Sequence, residues 1–248
     1  MSVRDNASTF AKGLAVLDCF EGGRTDLTMA EVARLTGFDR ATARRLCLTL
    51  ENCGYLTKRN KFLSLTPKVV AVAGGYLASQ DIGRLVQPTL NQFAEELAGE
   101  IALAVRDGTR AIYVARSAVS TARLSLGFSV GSTLPLLSTS VGRMLLACSP
   151  AEGRDALIDA SPLIKHTEDT DMDLNSIRAK IQLSVENGYA YSTNEFELGA
   201  AGLAVPIPRL SDTPGVLATS ATVNQFARDG ELDRVLDILR RAAMSLRV

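Results

Sequence analysis

The sequence predicts an α+β protein in two parts, a small helix-rich unit ending in a β-hairpin and a larger unit in which helices flank a mostly antiparallel sheet. Three observations predict it. The stretch from Leu27 to Leu56 has apolar residues at helical spacing, interrupted at the single Gly37. Beyond residue 98, short strand-like runs such as IALAVRD, AIYVARSA and GVLATSATV occur among amphipathic helical ones. Charge is divided as well: residues 1–68 hold 11 Lys+Arg against 7 Asp+Glu, a net +4, and the rest carries −4, although the 248-residue chain is neutral. Length favours two domains, and the break at Ser79-Gln80-Asp81 sets them at 1–66 and 81–248 with a linker helix over 67–80.

In the first unit, Ala11 to Phe20 is a helix by apolar spacing. Thr28 and Glu31 form a T-x-x-E capping box that starts a second helix with Met29, Val32, Ala33 and Leu35 as its stripe. Gly37 allows a tight turn, and Asp39 caps a third helix that packs through Ala43, Leu46 and Leu50. The other face of that helix carries Arg40, Thr42, Arg44 and Arg45 at its N-terminal end. Charged faces are usually just solvated. Here cap, small residue, glycine turn and second cap together make a helix-turn-helix, whose second helix enters the major groove of DNA by that end. Arginine suits it, because its planar fork grips a guanine edge or a phosphate with two bonds. Tyr55–Thr57 and Phe62–Leu65 then read as a hairpin across Lys58-Arg59-Asn60-Lys61, a basic wing for the phosphate backbone. Thr28, Arg40, Thr42, Arg44, Arg45, Lys58, Arg59 and Lys61 are the expected DNA-contacting set.

Thr66-Pro67 starts the linker helix, weakened at Gly74-Gly75, and Asp81 is the expected cap of a helix reaching Ala98. The strand-like runs IALAVRD, AIYVARSA and ARLSLGF follow, the first two joined at Asp107-Gly108. Helices are expected over Ser140–Cys148, Ala151–Asp159 and Leu174–Asn187. After them come the runs YAYST, AGLAVPIP and GVLATSATV and a last helix from Ala227 to Leu246.

Composition excludes several classes. Hydrophobic residues at 46% and charged residues at 22%, without low-complexity tracts, are globular values. No apolar run is long enough for a bilayer and nothing at the N-terminus resembles a signal peptide, so a cytoplasmic protein with no membrane partner is expected. Cys19, Cys47, Cys53 and Cys148 form no C-x-x-C pair and have no histidine at ligand spacing, so no metal or cofactor is expected and the thiols should be free and buried.

Two stretches carry possible chemistry. Gly127-Phe128-Ser129-Val130-Gly131 matches the G-x-S-x-G elbow of serine hydrolases, with His166, the single histidine, as its base. An elbow needs a helix starting at once, and Ser132-Thr133-Leu134-Pro135 follows instead, while His166 lies in the acidic loop HTEDTDMD. A hydrolase using Ser129 is therefore the rival reading. The second stretch is GSTLPLLSTSVGRMLLA. Ser138, Thr139 and Ser140 precede an apolar helix, so their hydroxyls and the free amides of Ser140, Val141 and Gly142 are placed to bind an anion. Simple capping by these hydroxyls is the alternative.

The helix-turn-helix, the G-x-x-LPL-x-x-TS-x-GR-x-LLA run and NGYAYSTNEFELGAAGLAVPI together resemble the IclR family of transcriptional regulators over essentially the whole chain. The resemblance implies a winged helix-turn-helix, a linker helix, a C-terminal GAF-like effector domain, and a homodimer or a dimer of dimers on palindromic operator DNA. It implies a small organic-acid effector held by Thr139, Ser140 and Val141, walled by Leu126 and Leu134, with Gly202, Thr219 and Ala221 on the far side. Cysteine or serine is frequent in the family where this chain has Gly202, and serines where it has Thr219 and Ala221, so a roomier, less polar pocket is expected. Arg123 is a candidate partner for a carboxylate. The TS-x-GR and E-L-G forms are similar to the branch that controls aromatic-acid breakdown through protocatechuate and β-ketoadipate. A second rival reading keeps the DNA-binding unit but lets the second domain only oligomerise.

Overall fold

The computed structural model describes residues 8–79, 81–119, 128–207 and 214–246. The chain divides into two compact units, Met1–Tyr76 and Leu77–Val248. The dividing line falls inside α4 (Lys68–Ser79), close to the break read from the sequence.

The first unit packs three helices, α1 (Ser8–Asp18), α2 (Met29–Thr36) and α3 (Arg40–Asn52), over a three-stranded sheet of β1 (Leu27–Thr28), β2 (Leu56–Arg59) and β3 (Phe62–Leu65) in the order β1-β3-β2. The capping box forms in full. The Glu31 N–H donates to the Thr28 hydroxyl, and the Glu31 carboxylate accepts from both the N–H and the hydroxyl of Thr28. Gly37 ends α2 at φ 70°, where a Cβ would be strained, and the Asp39 carboxylate caps α3 by accepting from the Thr42 N–H at 2.9 Å. Val16, Val32, Ala43, Leu46, Cys47, Leu56 and Leu63 make the core. β1, not foreseen, pairs Leu27 with Leu63 and so joins the wing to the start of α2. All four thiols are free, but Cys53 is exposed, because as the C-cap of α3 it lies outside the packed face.

Within α4 no residue is buried, and Val70, Val72 and Tyr76 are exposed. The expected cap at Asp81 does not form: Asp81 sits at φ 51°, makes no side-chain cap bond and holds Arg84 instead. The chain passes through one π-helical turn, Ile82–Val86, before α5 (Gln87–Leu97).

The second unit has a six-stranded antiparallel sheet built from β4 (Glu100–Asp107), β5 (Arg110–Ala118), β6 (Thr133–Pro135), β7 (Ala190–Thr193), β8 (Ala200–Ile207) and β9 (Gly215–Thr222), ordered β6-β5-β4-β9-β8-β7. The helices are α6 (Ser140–Ala147), α7 (Ala151–Ala160), α8 (Leu174–Asn187), the short α9 (Val223–Phe226) and α10 (Glu231–Ser245). The last helix expected over 227–246 is α10, which begins only after Gly230 at φ 70°; the short α9 ahead of that range was not foreseen. Of the run ARLSLGF, only Phe128 lies within the described residues.

Alternation along the strands sorts side chains into two cores. Ile101, Leu103, Leu203 and Leu217 pack toward α5 and α10. Ala102, Ala104, Ala204 and Ala218 pack toward α6. The second face is made of small residues, so α6 approaches the sheet closely. Apolar residues on both faces explain why these strands read as continuous hydrophobic runs.

Candidate functional site

The N-terminal end of α3 leaves Arg40, Arg44 and Arg45 exposed, with Thr42 half-buried beside them. β2 carries Lys58 and Arg59 and the turn carries Lys61, all exposed. None of these six cations has a carboxylate partner among the described residues. Two nearby acids, Glu31 and Asp39, are both bound to backbone at helix starts. Hydrogen bonding to the Thr28 backbone and hydroxyl lowers the carboxyl of Glu31, and bonding to Thr42 lowers that of Asp39, so both caps stay charged at neutral pH. Thr28 gives its hydroxyl to the capping box; it positions α2 and keeps no free proton for DNA.

In the second unit a cavity that opens to solvent lies over the start of α6. Leu134, Thr139, Ser140, Val141, Gly202 and Thr219 all line it, as do Tyr113, Phe128, Ser192, Asn194, Glu195, Phe196 and Ser220. Arg123 and Leu126 lie outside the described residues.

The helix start is more selective than its S-T-S sequence suggested. The Thr139 hydroxyl donates to the Pro135 carbonyl at 2.7 Å and accepts from the Gly142 N–H at 3.0 Å, so it caps its own helix. The Ser140 N–H donates to the Ser192 hydroxyl at 3.0 Å. The Val141 N–H and the Ser140 hydroxyl have no partner among the described residues and remain for a ligand. Ser138 is buried, its hydroxyl has no partner among the described residues, and it does not line the cavity.

The far wall differs from its expectation by one residue of register on β9. Ala221 belongs to the opposite core, and the Thr219 hydroxyl donates to the Glu100 carbonyl, so only its strand segment borders the cavity. Ser220, between them, takes the place assigned to Ala221, because successive residues of a strand face opposite sides. Gly202 does not make the pocket roomier. A Cβ there would lie 2.6 Å from the Ser140 hydroxyl oxygen, which already fills the space.

The rim is fixed by a buried ion pair that sequence reading missed. Arg143, 1% exposed on α6, donates Nε to the Leu137 carbonyl and both terminal nitrogens to Glu195 at 2.7 and 2.6 Å. Burial pushes the Glu195 carboxyl up, but the Arg143 bond and charge and the Lys180 ammonium outweigh it, and the net shift is downward. An arginine inside the apolar run SVGRMLLA signalled this, since a buried cation needs a carboxylate. Tyr113, Phe128, Phe196 and His166 form a ladder of rings with centroids 5.8, 5.9 and 4.9 Å apart, an aromatic wall for the cavity.

The elbow lacks its context. The Ser129 N–H bonds the Ser132 hydroxyl, β6 follows, and no helix begins until Ser140, so no helix end faces Ser129 as an oxyanion site. His166 is exposed and its ring lies tilted against Phe196.

Comparison with known proteins decides the family. The family of the bacterial transcriptional regulator IclR C-terminal domain matches residues 74–248, and the IclR helix-turn-helix domain matches residues 9–60. The chain belongs to the IclR family. It is 33% identical over 250 residues to the Pca operon regulatory protein of Acinetobacter baylyi, spanning 98% of this chain and 89% of that protein. An IclR transcriptional regulator of Silicibacter sp. TM1040 superposes with a TM-score of 0.84 at 27% identity over 96% of this chain and 94% of the other. The inducer-binding domain of the PobR transcription factor from Acinetobacter, a double mutant solved with 3-hydroxybenzoic acid, superposes with a TM-score of 0.60 at 28% identity, covering 66% of this chain and 97% of that one. This IclR-family chain is therefore a transcriptional regulator with a helix-turn-helix DNA-binding domain and an effector-binding C-terminal domain, of α+β fold. The hydrolase alternative has no support among these relatives. No helix among the described residues is long and apolar enough to cross a membrane.

Proposed function

We propose that this regulator binds operator DNA through residues 1–66 and changes that binding when a small aromatic acid occupies the cavity of residues 81–248, with residues 67–80 as the link. Arg40, Thr42 and Arg44 read base edges, while Arg45, Lys58, Arg59 and Lys61 hold phosphates. The observation that carries the effector reading is the pair of unspent donors at the α6 start, the Val141 N–H and the Ser140 hydroxyl, opening into a cavity walled by Tyr113, Phe128 and Phe196. A carboxylate suits a helix N-terminus, and flat rings suit an aromatic wall. The acid bound by the PobR domain and the Pca operon regulated by the Acinetobacter relative support the same class of ligand.

The protein works in the cytoplasm as a homodimer or a dimer of dimers, matched to a palindromic site. The apolar residues left exposed on α1 and α4, Phe10, Leu14, Val70, Val72 and Tyr76, support association. Titration of labelled operator DNA by the full chain, with and without benzoates and hydroxybenzoates, tests the reading. A ligand that raises the melting temperature and also changes operator affinity supports it. A ligand that binds without altering DNA affinity, or no binding across the panel, overturns it in favour of a domain that only oligomerises.

A further inference from the structure

A cavity that takes an acid would be expected to show it a positive wall, and this one does not. Among the described residues that line it, the charged ones are Glu195 and Glu197, with no lysine or arginine beside them. Glu197 is exposed, so water and salt screen it. Glu195 is 7% exposed, and a bare carboxylate in so dry a position would repel an anionic ligand.

The cation that answers Glu195 stands behind the wall. Arg143 follows Ser140 by three residues on α6, so the two share a helix face with Cβ atoms roughly 5–6 Å apart. It does not line the cavity; its Nε is spent on the Leu137 carbonyl and both terminal nitrogens on Glu195. Lys180, half-buried on α8, reaches Glu195 at 3.3 Å and Asp171 at 2.7 Å. Burial opposes the charge on Glu195, but Arg143 and Lys180 outweigh it, and the carboxylate stays ionised at neutral pH. The cluster therefore sets two cations against two carboxylates and is neutral as a whole. The carboxylate under the β9 wall is paired as well: Glu100 accepts from the Ser220 hydroxyl at 2.6 Å and from Arg116 at 2.7 Å. A ligand carboxylate at the α6 start thus meets the dipoles of the Val141 N–H and the Ser140 hydroxyl, while the nearest full positive charge is already matched.

We propose that Glu195 is a specificity-determining residue, one that sets how strongly the cavity prefers an acid to a neutral molecule of the same shape. By holding the Arg143 guanidinium it withholds a full positive charge from the effector carboxylate. Acid affinity then stays low enough for occupancy to follow the effector concentration, since tighter binding is mostly slower release. Removing the charge of Glu195 while keeping its shape leaves Arg143 an uncompensated cation beside the acid cradle. A role confined to fixing the rim predicts the reverse, because loss of a buried partner loosens the wall and weakens every ligand alike. This inference rests on the acid-binding reading of the cavity and adds to it the residue that tunes the preference.

The test is calorimetric titration of the full chain at neutral pH with benzoate and 4-hydroxybenzoate, each against its own amide, which has the same shape and no charge. In Glu195→Gln, whose carbonyl still accepts from Arg143, the acid that binds should bind about fivefold or more tightly, while its amide changes by less than about twofold. Lys180→Gln, on the half-buried side of the cluster, should act in the opposite sense: Glu195 loses one of its two cations, and the acid weakens by about two- to threefold with its amide unmoved. An acid-to-amide ratio that does not rise in Glu195→Gln overturns the proposal and leaves the acid site standing. Should that variant fail to fold, a ratio that does not fall in Lys180→Gln overturns it equally. Parallel losses of acid and amide also overturn it, since the ion pair then only shapes the rim. Binding of neither acid by the unaltered protein overturns the acid-site reading itself, and this inference with it.

Discussion

At Gly142 the chain has no room for a single methyl group. A Cβ there would lie 2.3 Å from the Leu136 Cα and 2.5 Å from its carbonyl oxygen, backbone atoms that cannot turn aside. Gly142→Ala should therefore destabilise the C-terminal domain by about 1–3 kcal/mol or more through a forced shift of α6, read by urea denaturation; a change within about 0.5 kcal/mol, ordinary for a surface site, would show that the contact is not as tight as described. The arginines of α3 make the opposite case, exposed and without a carboxylate partner among the described residues. Arg44→Ala should weaken cognate operator binding by about 1–3 kcal/mol and relax its sequence preference, while Lys61→Ala should weaken all DNA alike and lower the salt slope by about one. Equal losses on cognate and scrambled DNA for Arg44→Ala would remove it from base reading.

At the scale of elements, the helix starts were the most legible features, because a cap is a local contract between a side chain and the amides that follow it. Thr28, Asp39 and Thr139 all accept from the third residue of their helices; for Thr28 and Asp39 the spacing predicted it, while for Thr139 it was the alternative to anion binding. Thr28→Ala should lower the stability of the DNA-binding unit by about 1 kcal/mol and weaken DNA binding through displacement of α2, without changing the salt slope. A steeper or shallower slope in salt titrations would mean that Thr28 itself touches phosphate. Caps can also mislead when two turns compete: Asp81 looked like one, but its carboxylate pairs with Arg84 across a π-helical turn. The strands were legible as runs but not in register. Gly-Val-Leu-Ala-Thr-Ser-Ala-Thr has no polar alternation, since helices cover both faces of β9, and so nothing local distinguished Ser220 from Thr219 or Ala221 as the residue facing the cavity. Glu100, Tyr113 and Arg116 come from strands more than a hundred residues away from Ser220 in the chain, beyond the reach of any spacing argument.

Across the whole molecule, neutrality hides a division of labour that acid should expose. Two carboxylates tied into the C-terminal domain, Asp171 and Glu195, hold their protons less tightly than free ones. Burial works against the charged form of Asp171, but the Lys180 ammonium, the Ser176 hydroxyl and the Asp173 N–H outweigh it and take that carboxyl down to about 2. Glu195 is lowered by Arg143 and Lys180 in the same way. These groups titrate in the unfolded chain near 4, so the stability they contribute is present in full above that range and is lost as pH falls toward the lower folded values. The caps Glu31 and Asp39 are lowered as well, so both units lose stability in the same direction. Protonation also converts a neutral chain into a strongly cationic one, which adds self-repulsion to the loss of these bonds. Melting temperature should thus hold between pH 8 and 6 and drop steadily from about pH 5 to 3. Asp171→Asn should flatten part of that acid limb, because an amide has no proton to gain, at the expense of a lower plateau near neutrality where the Lys180 contact is weakened. An acid limb identical in the variant would mean that Asp171 keeps an ordinary affinity for its proton and that the link from α8 to the cavity rim is held by Arg143 and Glu195 alone.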